Sequence, residues 1–464
     1  MDILIVLFAL AFLMLVAYRG FSVILFAPVA ALIAVLLSDP KLVLPFYSGV
    51  FMDRTAGFIK LYFPVFLLGA IFGKLMEVSG FARSIIRSVS GVIGPSHAVV
   101  SIVVVCAILT YGGVSLFVVA FAVYPFAAEM FRAAGIPKRL IPATIALGAF
   151  TFTMDALPGS PQIQNIIPTT FFKTDAWAAP WLGIAGSIFL LVTGLSYLEW
   201  RRRSALRKGE GYGENHLNEP SPPEGEVLPH PLLAVFPLVL VGVLNKLFTL
   251  WIPAIYGSQF AFSSYGIKTV VPIDVPAVAA LWAVQAALFT AILVIVVSGW
   301  TRIRSLFQSA AGTAVGGAML AALNTGSEYG FGAVIAVLPG FRAVNDFLSR
   351  TIEDTLLNIA VTTNALAAIT GSASGWLSIG RGSLGATYLE RAQAAGIPPD
   401  VLHRVAAMAS GGMDTLPHNG AVITLLAVTG LTHRSSYRDI FAMTLFKVAA
   451  AFFSIALYRI SGVY

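Results

Sequence analysis

Two aspartates, Asp155 and Asp414, lie in the middle of long apolar segments at residues 140–171 and 401–431. An ionisable side chain at bilayer depth is costly and usually has a functional reason. Pro and Gly follow each aspartate. Because Pro removes a backbone donor and Gly relaxes the chain, we predict that both helices unwind there. An unwound helix offers carbonyls to a cation and a new N-terminus to an anion. We therefore predict that both aspartates couple transport to an ion, although each could instead only cap a broken helix.

Small and polar residues surround these interruptions and form the predicted substrate site. The stretches 111–115 and 371–375 are rich in Gly and Ser, and glycine lets a backbone approach a ligand closely. Their hydroxyls suit a hydroxylated substrate, while close helix packing through small residues is the competing explanation. The predicted substrate-binding residues are Gly112, Gly113, Ser115, Gly159, Ser160, Gln162, Asn324, Thr325, Ser372, Ser374, His418 and Asn419.

The interruptions contain no basic side chain that could hold an anionic substrate. No Lys or Arg lies within them, so N–H groups and hydroxyls are expected to hold a carboxylate, with positive charge supplied by a coupling ion. His418 could shuttle protons, but a lone histidine fits a plain hydrogen-bonding role better. No metal site is predicted, and the single Cys106 excludes an internal disulfide and a cysteine metal cluster.

The composition is that of a membrane protein. Of the 464 residues, 58% are hydrophobic and 11% are charged, where a soluble protein carries about a quarter charged residues. Several apolar stretches are long enough to span a hydrocarbon core of about 30 Å. The net charge of +7 fits basic cytoplasmic loops, so no nucleic-acid partner is expected. The apolar N-terminus lacks a basic n-region and a cleavage site, and we interpret it as a retained span.

The sequence contains an internal duplication. Ala-Ala-Gly-Ile-Pro at residues 133–137 recurs unchanged at 394–398, and Met-Asp-Ala-Leu-Pro at 154–158 recurs with one change at 413–417. A polar stretch that begins with basic residues separates the two copies. We therefore predict a first transmembrane repeat at 1–199, a cytoplasmic linker at 200–231 and a second, inverted transmembrane repeat at 232–464.

The predicted fold is an all-α polytopic protein of the inner (plasma) membrane. Each half is predicted to hold about five spans, one re-entrant hairpin and broken helices. The hairpin is indicated by apolar legs shorter than the roughly 20 residues that a spanning helix needs, with basic clusters at both ends. An odd number of spans turns the second half upside down, which gives the inverted-topology repeat of many secondary transporters.

Specific stretches resemble the gluconate permease (GntP) family of the ion transporter superfamily. They are Tyr-Gly-Gly-Val-Ser at 111–115, Phe-Val-Val-Ala-Phe-Ala-Val-Tyr-Pro at 117–125, Asp-Ala-Leu-Pro-Gly at 155–159 and Met-Asp-Thr-Leu-Pro-His-Asn at 413–419. The resemblance covers essentially the whole chain. It implies proton-coupled uptake of gluconate-like sugar acids or short hydroxy acids such as 3-hydroxybutyrate. The expected coupling ion is therefore H⁺, with Na⁺ as the alternative found among citrate-type carriers of the superfamily, and no cofactor is expected. The resemblance also implies a homodimer with a scaffold part and a moving transport part.

Other functions are consistent with parts of the sequence. A Na⁺-coupled citrate or dicarboxylate carrier shares the superfamily, although the Ser-Asn-Thr signatures of the dicarboxylate branch are missing. An intramembrane aspartyl protease would also use two membrane aspartates, but Met413 separates Gly412 from Asp414, and the Pro-Ala-Leu element is missing. A passive channel is a third alternative, and broken helices at mid-membrane suit alternating access better. We therefore expect a transporter and not an enzyme.

Overall fold

The computed structural model describes residues 2–464 except 20, 95–96, 115, 215–216, 220–226, 266–271, 371–383 and 418. The described helices of the first half are α1 (Asp2–Tyr18), α2 (Val23–Ser38), α3 (Pro40–Val78), α4 (Phe81–Ile93), α5 (Ala98–Tyr111), α6 (Leu116–Ala133), α7 (Ile141–Ala149), α8 (Phe152–Asp155), α9 (Ile163–Phe172) and α10 (Pro180–Arg207). Those of the second half are α11 (Pro231–Tyr256), α12 (Val275–Ile303), α13 (Phe307–Val337), α14 (Pro339–Thr351), α15 (Thr355–Thr370), α16 (Leu384–Ala394), α17 (Pro399–Gly411), α18 (Gly420–Thr429) and α19 (His433–Ser461). Strands β1 (Gln259–Phe260) and β2 (Ile273–Asp274) pair antiparallel between α11 and α12.

The long helices have the length and surface of membrane spans. Within the described chain, α3, α10, α11, α12 and α19 are long and apolar enough to cross a membrane. The Gly- and Ala-rich α13 has 31 residues, which is about 46 Å at 1.5 Å per residue. Large apolar side chains such as Leu232, Val239 and Val297 are exposed where lipid would cover them. The prediction of an all-α polytopic membrane protein is confirmed.

The helices follow the same order in both halves. Helices α1 to α3 correspond to α11 to α13, and α4 to α14. The hairpin α5–α6 corresponds to α15–α16, the broken helix α7–α9 to α17–α18, and α10 to α19. Each contact between the halves has a counterpart in which the two halves change places. Helix α3 packs on α12, as its counterpart α13 packs on α2. Likewise α4 packs on α11, as its counterpart α14 packs on α1. Such an exchange is what a two-fold relation between the halves produces.

The duplicated pentapeptide builds the same helix end twice. Gly135 after α6 and Gly396 after α16 have φ values of +62° and +66°, the left-handed conformation that glycine adopts without strain. The next residue, Ile136 or Ile397, donates its backbone N–H at 2.8 Å to a carbonyl five positions earlier. Both helices therefore end in a Schellman motif, and the Pro that follows stops the helix.

The connection between the halves is linked to both halves by charged side chains. Helix α10 continues to Arg207, so its last turns occupy the beginning of the predicted linker. Arg139 donates hydrogen bonds to Glu210 of the linker at 2.6 and 2.8 Å and to Asp439 of α19 at 3.1 Å. Arg201 donates to the same Asp439 at 2.6 Å. These bonds join the linker to both halves, while the boundaries of the three predicted parts stay a prediction.

A second set of linker contacts reaches the hairpin and the broken helix. Tyr124 of α6 donates a hydrogen bond of 2.7 Å to the carbonyl of Asn218. The Asn218 side chain donates at 2.9 Å to the carbonyl of Ala427 on α18. Lys138 lies 2.8 Å from Glu219. The linker thereby connects the first hairpin with the broken helix of the second half.

Candidate substrate and ion site

The first broken helix unwinds where the sequence predicted it. Helix α7 ends at Ala149, the short α8 ends at Asp155, and α9 begins only at Ile163. Gly159 stands in this first break with φ +79°, and a Cβ at that position would lie 2.5 Å from the Trp177 ring. The Pro-Gly pair is therefore required for the turn and for the close approach of the indole.

The second broken helix unwinds at the matching place. Helix α17 ends at Gly411 and is followed by a 3₁₀ turn, Gly412–Thr415, that contains Asp414. Helix α18 then begins at Gly420 with Asn419 as its N-cap, whose side chain accepts a hydrogen bond of 2.8 Å from the backbone of Ala421. The predicted binding residue Asn419 therefore caps a helix in this structure.

Asp155 forms an ion pair that the sequence analysis did not predict. Lys447 Nζ, on α19 of the other half, lies 2.9 Å from Asp155 Oδ2, and both side chains are about 1% exposed. Lys447 also donates a hydrogen bond of 2.7 Å to the carbonyl of Phe150. Apart from the ion pair, neither Asp155 oxygen has a hydrogen-bond donor among the described residues. The expectation that only a coupling ion brings positive charge to the breaks is wrong, because α19 crosses the first break and adds a lysine.

The two breaks touch each other. Asp155 Oδ2 lies against the backbone of Gly411, so closely that a Cβ there would overlap it. Gln164 on α9 donates a hydrogen bond of 2.9 Å to Asp414 Oδ2. Gln164 Oε1 and Asn364 Oδ1 are buried without a hydrogen-bond donor among the described residues, and Asn364 Oδ1 would lie 3.5 Å from a Cβ on Gly412. Buried oxygen atoms from three elements thus gather around the second break.

The tip of the first hairpin rests on the first break. Gln162 donates hydrogen bonds to the carbonyls of Thr110 at 2.7 Å and Val114 at 3.3 Å. Tyr111 donates at 2.8 Å to the carbonyl of Pro158. Ser160 turns inward, and its hydroxyl donates at 2.6 Å to the carbonyl of Thr153. The structure therefore brings Gln162 and the hairpin tip together at the break, while Ser160 is held by its own backbone.

The predicted glycines of the tip have a packing role. A Cβ on Gly112 would overlap the side chain of Leu238 on α11, and a Cβ on Gly113 would lie 3.2 Å from Leu288 on α12. Gly113 also has φ +98°, a conformation that favours glycine. Both glycines therefore allow α11 and α12 to pack closely against the tip.

Other predicted residues lie elsewhere or outside the described chain. Asn324 and Thr325 lie within the continuous helix α13, where a Cβ on the neighbouring Gly326 would lie 3.2 Å from Ile59 of α3. The packing described for α13 is with α2, α3 and α14, so the structure does not bring this pair to the breaks. The remaining predicted residues fall outside the described residues, namely Ser115, Ser372, Ser374 and His418.

Arg404 is a second buried cation that the sequence analysis missed. Its guanidinium, fully buried on α17, donates to the carbonyls of Ala178 at 2.7 Å and Asp155 at 2.9 Å and to Asn165 Oδ1 at 2.9 Å. Its neighbour His403 is also buried and lies 2.6 Å from the Thr174 hydroxyl. The sequence did contain a signal for both bases. An ionisable residue in an apolar segment is a candidate for a functional site, and this rule, which we applied to the aspartates, also covers Arg404 and Lys447.

Among the described residues, the acidic side chains and the Lys and Arg side chains that are buried at the breaks are equal in number. Asp155 and Asp414 contribute two negative charges, and Lys447 and Arg404 contribute two positive charges, all with side chains buried in the described structure. An anion that enters this region alone would leave it with a net negative charge away from water, which is costly. The arrangement favours an anion that enters together with a cation or a proton.

Known proteins resemble this chain over its full length. The "Uncharacterized transporter YxjC" of Bacillus subtilis (strain 168) is 57% identical over 470 residues and covers all of both chains. A solved structure, that of the Alcanivorax borkumensis YdaH transporter, superposes with a TM-score of 0.56 at 16% identity, covering 92% of this chain and 90% of the other. That likeness shows the fold alone. No family model matches the sequence. At this level of identity over the whole length, the chain belongs to the same transporter family as YxjC.

Proposed function

We propose that the protein is a symporter that imports a small hydroxylated carboxylate, such as gluconate or 3-hydroxybutyrate, by alternating access. The observation that carries the proposal is the meeting of two broken helices, where the buried charged side chains among the described residues are two acids, Asp155 and Asp414, and two bases, Lys447 and Arg404. A carboxylate that enters a neutral buried site needs an accompanying positive charge. Symport provides that charge at each cycle.

A carboxylate would find backbone donors at the start of α9. Gln162, the residue before this helix, directs its side chain to the hairpin tip and does not cap the helix. The first N–H groups of α9 therefore have no side-chain cap, and a helix N-terminus attracts an anion. Gln164 Oε1 and Asn364 Oδ1, which have no hydrogen-bond donor among the described residues, are acceptors for substrate hydroxyls or for a cation.

The coupling ion is proposed to be a proton, on the resemblance to the gluconate permease family. A Na⁺-coupled citrate or dicarboxylate carrier is the alternative, and the same buried oxygens would suit Na⁺. An aspartyl protease fits less well, because such enzymes place two carboxylates around one proton, whereas Asp155 is paired with Lys447 at 2.9 Å. We further propose the inner (plasma) membrane as the location and a homodimer as the assembled form.

Uptake into proteoliposomes tests the proposal. Radiolabelled gluconate and 3-hydroxybutyrate should accumulate under an inward pH gradient, and succinate and citrate should not. Asp414→Asn should abolish accumulation because it removes one buried negative charge and leaves the site with a net positive charge. Asp155→Asn should do the same because it leaves Lys447 without its carboxylate. Accumulation driven by a Na⁺ gradient alone would support the dicarboxylate-type alternative, and uptake indifferent to both gradients would contradict symport.

A binding screen separates substrate choice from coupling. A ligand that binds only the folded protein raises its melting temperature, and the stabilisation grows with the logarithm of the ratio of ligand concentration to dissociation constant. We expect gluconate, glycerate, lactate or 3-hydroxybutyrate to stabilise the purified protein more than succinate or citrate. Stabilisation by citrate or succinate alone would contradict the proposed substrate class.

A further inference from the structure

The environment of the Lys447 ammonium is that of a bound cation. Its Nζ lies 2.9 Å from Asp155 Oδ2 and 2.7 Å from the carbonyl of Phe150, and the side chain is about 1% exposed. Phe150 follows the last residue of α7, so its carbonyl belongs to the negative end of that helix. A carboxylate and a main-chain carbonyl at an unwound helix form an all-oxygen ligand set, which suits hard cations and the coupling ions of transporters.

The lysine is present in only one half of the duplication. Asp155 and Asp414 occupy matching positions, and α19, which carries Lys447, corresponds to α10. Helix α10 has no Lys or Arg between residues 180 and 199, and its Gly183 and Gly186 pack against Arg404 and Met408 of α17. Helix α10, the counterpart of α19, therefore offers no basic side chain from residues 180–199 to the second break.

We propose that Lys447 is a tethered cation that fills the ion site of the first break, so that Asp155 takes up no mobile ion. The proposal rests on the proposed symport, because it assigns the coupling ion of that cycle to the second break, around Asp414. The proposal also predicts how the protein binds cations when no substrate is present. Removal of the ammonium should convert the Asp155 site into one that binds a free monovalent cation.

Cation-dependent stability of the purified protein tests this without any carboxylate. The melting temperature is measured in choline chloride and in NaCl from 1 to 300 mM at constant ionic strength. Lys447→Ala should be less stable than the wild type in choline and should regain several degrees as Na⁺ replaces choline, because Na⁺ binds the vacated oxygens. The wild type and Lys447→Arg, which keep the positive charge, should show a smaller Na⁺ dependence.

A double variant tests whether the Na⁺ response of Lys447→Ala depends on the Asp155 carboxylate. Asp155→Asn/Lys447→Ala lacks the carboxylate and should lose the additional Na⁺ response that Lys447→Ala gains. If Lys447→Ala does not fold, Lys447→Gln serves instead, because its amide can still donate to the Phe150 carbonyl. A Na⁺ response of the lysine variants equal to that of the wild type would overturn the proposal, and so would an additional response that persists in the double variant.

The outcome is separable from that of the proposed function. If the wild type imports none of the carboxylates, the symport proposal fails while the Na⁺ response of Lys447→Ala still reports on the ion site. If transport is established, the charge moved per substrate provides a second measurement. Lys447→Ala should then move one more cation per substrate than the wild type, and an unchanged ratio would contradict the tethered cation.

Discussion

Arg404 and Asp155 belong to different halves of the chain, yet Arg404 Nη1 donates a hydrogen bond of 2.9 Å to the main-chain carbonyl of Asp155. The same nitrogen donates at 2.9 Å to Asn165 Oδ1 on α9, so one buried side chain of the second half contacts both sides of the first break. Unwinding a helix leaves carbonyls without their helical partners, and a buried carbonyl needs a donor. The second half therefore stabilises the irregular backbone of the first.

Replacement of this arginine should destabilise the protein strongly. Arg404→Met preserves the aliphatic length but removes the guanidinium that donates to the carbonyls of Asp155 and Ala178 and to Asn165 Oδ1. We expect a loss of about 3–5 kcal/mol, the range for removing one partner of a buried charged network. Thermal melting in detergent measures it. The matched control Arg434→Met removes an exposed arginine and should change stability by about 0.5 kcal/mol or less. Equal melting temperatures for both variants would contradict the role of Arg404.

A pair of glycine substitutions separates backbone strain from steric overlap. Gly159 and Gly396 both have positive φ, +79° and +66°. A Cβ on Gly159 would lie 2.5 Å from the Trp177 ring, whereas a Cβ on Gly396 would meet no described atom within 4 Å. Gly396→Ala should cost about 1 kcal/mol from backbone strain alone. Gly159→Ala should cost that amount plus about 1–3 kcal/mol for overpacking against the indole. Thermal melting of the two variants under identical conditions checks the order, and a Gly396→Ala variant less stable than Gly159→Ala would contradict it.

The linker should make stability depend on acid pH. Hydrogen bonds from Arg139 hold the pKa of Glu210 below its ordinary value. A carboxylate with a lowered folded-state pKa contributes stability that is complete above its ordinary pKa of about 4.3 and is lost as the pH falls through the lowered value. Melting temperatures between pH 7 and pH 3 should therefore fall more for the wild type than for Glu210→Gln. Glu214→Gln, in the same linker but exposed, should follow the wild type. Parallel curves for all three proteins would show that the Arg139 contact does not contribute.

The position of the linker predicts the membrane topology. A reporter inserted between Glu219 and Val227 should be cytoplasmic, because Arg201, Arg202 and Arg203 precede it and basic residues stay inside. A reporter after Tyr464 should be periplasmic if the second half crosses the membrane an odd number of times, as the inverted repeat predicts. Paired fusions to alkaline phosphatase and to green fluorescent protein measure both positions. Two reporters on the same side would contradict the inverted repeat.

The sequence by itself determined the fold class and the places of unwinding. In a bilayer every backbone polar group must be satisfied within the protein, so long apolar stretches have to be helices and Pro-Gly interruptions have to be breaks. The duplicated motifs at residues 133–137 and 394–398 and around Asp155 and Asp414 placed matching elements in both halves. These are local rules, and they hold whichever helices become neighbours.

Only the tertiary structure decided which groups meet at the breaks. Lys447 and Arg404 stand in apolar helices, α19 and α17, and no spacing in the sequence connects either of them to Asp155. Their contacts depend on how helices of the two halves cross, and crossing is set by packing between surfaces far apart in the chain. The sequence could therefore identify the buried acids, but the pairing of Asp155 with Lys447 and the burial of Arg404 beside the first break are properties of the folded bundle.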